Sequence, residues 1–164
     1  MINFKAFEGT VIDIRDFVTG QNNATEGCDK FISVVNDTGS QVNFVVTPST
    51  YFVDHTMVSV GDRVNGYYDA NTPVIMIYPP QYAALVMVKN STNQQVKADF
   101  FNAQLISSDG QLQLTPGPYT QVLLANGQAF SRSPANRNLI VVYGPSTKSI
   151  PAQTTPYRII VWCG

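Results

Sequence analysis

Asp37 sits in the stretch Asn36-Asp37-Thr38-Gly39-Ser40 and has the clearest claim to chemistry in the chain. Two such carboxylates brought within hydrogen-bonding distance share one proton and can activate a water. The chain carries one Asp-Thr-Gly, so this chemistry would need a homodimer. A tight hairpin asks for Asn, Asp and Gly at the same positions for backbone reasons alone. The turn is the reading adopted, with the catalytic carboxylate kept as a distant third.

Other constellations are poorer. His55 adjoins Asp54, but no Gly-x-Ser-x-Gly elbow presents a nucleophile to it, and His55 reads as a loop residue. Asp54, Asp62 and Asp69 could gather at one end of a barrel, yet their spacing resembles no calcium loop. No phosphate-cradling glycine loop occurs. Cys28 and Cys163, with the single histidine, cannot complete a zinc site. They are candidates for a disulfide between neighbouring copies, since Cys163 is one residue from the end. Neither a catalytic residue, a metal nor a cofactor is therefore expected.

Tyr67, Tyr68, Tyr78 and Tyr82 form the remaining cluster, a candidate face for stacking sugar rings or a small ligand. Nucleic acid is excluded on charge. Phosphate binding uses clustered Lys and Arg, and the ten here are scattered singly. Only 13% of residues are charged and the formal net charge is −1, about half the roughly 25% usual for a soluble domain. Asn, Gln, Ser and Thr fill the gap at roughly 30% of the chain. Such a surface repels its own copies weakly and suits an array or fibre.

No apolar run is long enough to span a membrane as a helix. The N-terminal stretch has no visible secretory leader, so cytoplasmic synthesis and assembly stay open. The triplets starting at Asn23, Asn36 and Asn90 are accordingly read as chance glycosylation motifs.

The elements that must position these residues are strands. Ten Pro and eleven Gly cut the 164-residue chain into short pieces without helical periodicity. Phe7–Ile14, Lys30–Asn36, Gln41–Val46, Asp62–Tyr68 and Ala83–Val88 are rich in β-formers. Gly9 marks a bulge or sharp bend in the first of them. Five strands with a longer connection over Thr47–Gly61 give the order of an OB-like barrel.

A second copy is visible. Val64 laid on Ile140 without gaps brings Tyr67 onto Tyr143, Pro80 onto Pro156, and Ala83–Val86 onto Ile159–Trp162. Upstream, Val46–Tyr51 falls on Leu114–Tyr119 and Phe44 on Leu112, while Phe7 and Val11 fall on Phe101 and Leu105. The second copy gains hairpins at Ser108-Asp109-Gly110 and Asn126-Gly127. The fold expected is all-β: two tandem OB-like halves from an internal duplication, at 1–89 and 96–164, with a polar connector at 90–95.

Three segments, Leu139–Gly144, Arg158–Cys163 and Pro73–Tyr78, lack alternation and are expected to be strands covered on both faces. A barrel interior covers one face; the other must meet either the sister half or another molecule, and in the second case Tyr143 and Trp162 are the expected interface anchors.

Val58–Met87 and Asn136–Val161 resemble small OB-like β proteins of anaerobic spore-forming bacteria, a group with no established activity. The resemblance implies a bacterial cell-surface, spore-surface or extracellular setting and supplies no site residues. The expectation is a non-enzymatic subunit whose partners are copies of itself. The alternative is an OB-fold binding module for a glycan or small ligand.

Overall fold

The computed structural model describes residues 2–17 and 26–163; Asn23 lies outside them. The chain is nearly all β, 47% strand and 2% helical, and its sheets are mixed. It divides into two compact units, Met1–Asn90 and Ser91–Gly164.

In the first unit, β1 (Phe4–Asp16) serves two partners. Phe4–Thr10 pairs antiparallel with β5 (Arg63–Asp69), and Thr10–Asp16 pairs antiparallel with β2 (Lys30–Val35). A strand that changes partner must bend, and Gly9 lies at the bend. A Cβ there would stand 2.3 Å from the Val35 carbonyl oxygen. The register then slips between Val11 and Asp13.

β2 turns into β3 (Gln41–Val46) through Asn36–Ser40. Asn36 Oδ1 accepts the backbone N–H groups of Thr38 (3.1 Å) and Ser40 (2.9 Å), so the turn is built by its own side chain. The Thr47–Gly61 connection holds the short β4 (Tyr51–Phe52) and a 3-10 turn at Val53–His55.

After β5 come β6 (Gln81–Ala83), parallel to β3, and β7 (Val86–Lys89), antiparallel to β5 and parallel to β4. Only Ala84 and Leu85 separate β6 from β7, and their N–H groups donate to Val45 O and Tyr67 O. The pairing order therefore runs β1-β2-β3-β6 and, across two residues, β7-β5-β1. Inside lie Val11, Ile32, Val34, Val42, Phe44, Val46, Val64, Ala84 and Met87.

The second unit contains β8 (Gln95–Phe101), β9 (Leu112–Leu114), β10 (Gln121–Leu124), β11 (Arg137–Tyr143), β12 (Ala152–Thr154) and β13 (Arg158–Val161). β11 pairs antiparallel with β8 and β13, while β10 with β13 and β9 with β12 are parallel. Bridges at Phe101–Ser107 and Ile106–Gln113 stand where β2 stands in the first unit. Each pairing class of the first unit thus recurs in the second.

The registers correct the overlay read from sequence. Leu85 N–H donates to Tyr67 O where Tyr157 N–H donates to Val142 O, and Asn90 N–H to Arg63 O where Trp162 N–H meets Asn138 O. Thr50 Oγ1 donates to Ala84 O (2.9 Å) where Thr120 Oγ1 donates to Pro156 O (2.7 Å). Val64 therefore matches Leu139 rather than Ile140, and Tyr143 matches Tyr68 rather than Tyr67. Phe44 matches Leu114 instead of Leu112, Val11 matches Phe101, and Pro156 stands in the place of Ala84. Thr47–Thr50 falls on Gly117–Thr120, so the Val46–Tyr51 overlay was two residues out. Side chains alternate with period two along a strand, so a one-residue slip exchanges inside for outside. Val64 and Leu139 both point into their cores.

Leu139–Val142 are fully buried and Ile159–Val161 nearly so, as the absence of alternation required. These seven side chains are buried within the chain, while Tyr143 and Trp162 at the ends of the two strands are only partly so. Pro73–Tyr78 behaves otherwise. It is no strand, and Val74, Ile75, Met76, Ile77 and Tyr78 are 48%, 73%, 96%, 45% and 74% exposed. Pro73, Pro79 and Pro80 carry no backbone N–H, so the segment cannot sustain a ladder.

Candidate functional site

The exposed run hangs between two anchored ends. Where β5 ends, Asp69 Oδ1 accepts the N–H groups of Asn3 and Asn71, each at 3.0 Å, and Ala70 N–H donates to Asn3 O at 2.8 Å. Those backbone donors hold the Asp69 carboxyl below its ordinary range. On the return side, Asn43 N–H donates to Pro80 O at 2.9 Å, just before β6 begins. Between the anchors, five consecutive large apolar side chains face outward without a charged residue among them. A contiguous exposed apolar run of this kind marks an interaction surface more often than scattered single residues do.

The four tyrosines separate. Tyr68 and Tyr82 stack, with centroids 3.9 Å apart and planes 5° from parallel, and Tyr68 also leans on Phe44 at 6.5 Å. Tyr67 is buried and meets Phe4 edge-on at 6.3 Å. Tyr78 belongs to the exposed loop.

Burial, and then Tyr82 beside it, pushes the Tyr68 phenol up to about 12. A phenol that stays protonated in the folded state favours folding below the ordinary tyrosine range. That contribution fades as pH rises from about 10 towards about 12. In an alkaline titration followed by phenolate absorbance, Tyr68→Phe should remove a late-ionising component. Loss of an early component instead would contradict the stacked geometry.

Tyr143, matched to Tyr68, donates its hydroxyl to Gln95 Oε1 at 3.2 Å, and burial followed by the Asp109 carboxylate raises its pKa. Trp162 is partly buried and, with Leu124, Ala125, Asn126, Val161 and Cys163, lines a pocket of about 400 Å³. No ionisable side chain other than the Cys163 thiol borders it. Cys28 and Cys163 are both exposed and are not bonded to each other. A second groove of about 630 Å³, lined by Thr115, Pro145, Ser146, Thr147, Gln153, Thr154 and Thr155, is uncharged and rich in hydroxyls.

The groups with catalytic promise are dispersed. Arg63 grips both Asp37 oxygens at 3.0 and 3.3 Å and reaches Glu8 at 3.4 Å. His55 rests edge-on against Tyr51 at 6.1 Å. Asp62 accepts the Ser59 N–H at 2.8 Å and pairs with Lys89 at 3.4 Å, and the Ser59 bond is the main cause of its lowered pKa. Among the described residues, no three His, Cys, Asp or Glu gather closely enough to hold a metal ion. No helix there is long and apolar enough to cross a membrane.

Sequence reasoning missed the loop's exposure and the Trp162 pocket. The signal for the first was present: three prolines bracket an apolar run too short to bridge two ladders. The second depends on the Asn126-Gly127 hairpin, where Gly127 N–H donates to Leu124 O and sets Leu124–Asn126 beside β13. No protein-family model, curated protein or solved structure matches the chain.

Proposed function

We propose that the chain is a non-enzymatic structural subunit that associates with copies of itself, each of its units an OB-like barrel from an internal duplication. The barrel reading is supported by the returning strand order of the first unit and by the recurrence of its pairings in the second, where two isolated bridges stand for β2. Association is carried by one observation, the outward run Val74–Tyr78. A second copy is the occupant that fits, because a net charge of −1 opposes self-contact weakly. The low charge suits a fibre or array, and the resemblance noted in the sequence suggests a bacterial cell-surface, spore-surface or extracellular setting for it.

A second reading, a glycan or small-ligand module, is favoured by the Tyr68–Tyr82 stack and the hydroxyl-lined groove. Electron microscopy of the purified chain, with light scattering, separates the two. Repeating particles or fibres are expected. A monodisperse 18.0 kDa species that is retained on a glycan matrix would favour the module instead.

A further inference from the structure

We propose that Met76 is an oxidation site that controls the association surface: a peroxide converts its thioether to the sulfoxide, and the loop loses its hold on a second copy. The inference rests on the self-association reading and adds regulation to it. Of the three methionines in the described residues, Met87 is fully buried, while Met57 and Met76 are 82% and 96% exposed. Met76 owes its exposure to its place in the loop. Ile77 N–H donates to Ile75 O at 2.9 Å, a γ-turn with Met76 at its centre. The thioether therefore stands at the apex of a turn, between two outward isoleucines.

Oxidation of a thioether needs no neighbouring base or metal, only access of the oxidant to the sulfur. The peroxide O–O bond breaks and one oxygen becomes the sulfoxide oxygen, with sulfur oxidised by two electrons. The other oxygen leaves as water with both peroxide protons. A flexible, polarisable thioether suits an adaptable apolar contact. The sulfoxide places a polar acceptor in the middle of Val74–Tyr78, where contact with a copy would bury it without a partner. A dithiol-dependent reductase reverses the step: the oxygen leaves as water and the two thiols close into a disulfide. The loss of contact is therefore reversible.

Met57 is the comparison within the same chain. Its neighbours Thr56 and Val58 are only partly exposed, and Val58 packs against the core of the first unit. Met57 thus stands singly, outside the run, and its sulfoxide stays in water.

The native chain and Met57→Leu are treated with hydrogen peroxide, mapped by peptide mass and followed by sedimentation velocity. Both should gain one oxygen at Met76 and none at Met87. Both should then associate about tenfold more weakly, or worse, and recover with sulfoxide reductase and a dithiol. Met76→Leu is compared only with itself, and its association constant should be the same before and after peroxide. Oxidised Met76 with unchanged association would overturn the inference and leave self-association standing. So would an equal loss in treated Met76→Leu, or a Met76 that peroxide leaves unmodified. An untreated native chain that sediments as a monomer at every concentration would overturn the self-association reading and this inference with it.

Discussion

Gly9→Ala should destabilise the protein by about 3 kcal/mol, the upper end of the overpacking range. The new Cβ would stand 2.3 Å from Val35 O, 2.6 Å from Val35 C and 3.0 Å from Asn36 N. All three are backbone atoms of the neighbouring strand and its turn, so no side chain can rotate away. β1 changes partner one residue later, at Thr10. Pushing the strands apart therefore loosens both pairings at once.

Gly66→Ala is the instructive contrast. There the nearest atoms are side-chain atoms, the Phe44 ring (2.5 and 2.6 Å) and the Met87 sulfur (3.0 Å), so the buried core must repack but no backbone is displaced directly. Its cost should be nearer 1–2 kcal/mol. Urea denaturation followed by circular dichroism gives both values. Equal midpoints for the two variants, or a Gly9→Ala midpoint equal to the native one, would contradict the close approach at the bend.

The all-β character was legible from β-branched and aromatic runs cut by Pro and Gly, and so was the bend at Gly9. The Asn36–Ser40 hairpin was legible because Asn, Asp and Gly are the residues a tight turn needs for its backbone. The repeat was visible, but its register was not. Tyr67 and Tyr68 adjoin, and an overlay that rewards identical letters cannot tell which of them answers Tyr143. The hydrogen bonds decide for Tyr68, and with it the face of the strand.

Pro73–Tyr78 misled for a related reason. Its composition matches Leu139–Tyr143, and both lack alternation. Leu139–Tyr143 finds ladder partners on both sides, in β8 and β13, whereas prolines deny the other run any. Composition reports what a segment would bury; backbone donors decide whether it can. The candidate contact surface was therefore quoted in the sequence but assigned to the wrong environment. The Trp162 pocket was not legible because it depends on a hairpin meeting a strand distant in sequence.

Ile75→Asp/Met76→Asp should abolish association while leaving the fold intact. Both side chains already face solvent at 73% and 96% exposure, so charge there disturbs no core packing. In an interface each would be buried, contributing roughly 1.5–3 kcal/mol. Aspartate forfeits that contribution and must also be desolvated without a partner. A combined loss of at least about 3 kcal/mol corresponds to more than a hundredfold in the association constant. An unchanged urea midpoint beside lost association is the expected pair of results; a lowered midpoint would mean that the loop packs on its own unit.

Sedimentation velocity of the native chain and of this double variant, from dilute to concentrated solution, tests self-association most directly. The native chain should sediment faster as its concentration rises, with the double variant held at the 18.0 kDa monomer throughout. A native chain that stays at 18.0 kDa over the same range, indistinguishable from the variant, would contradict it.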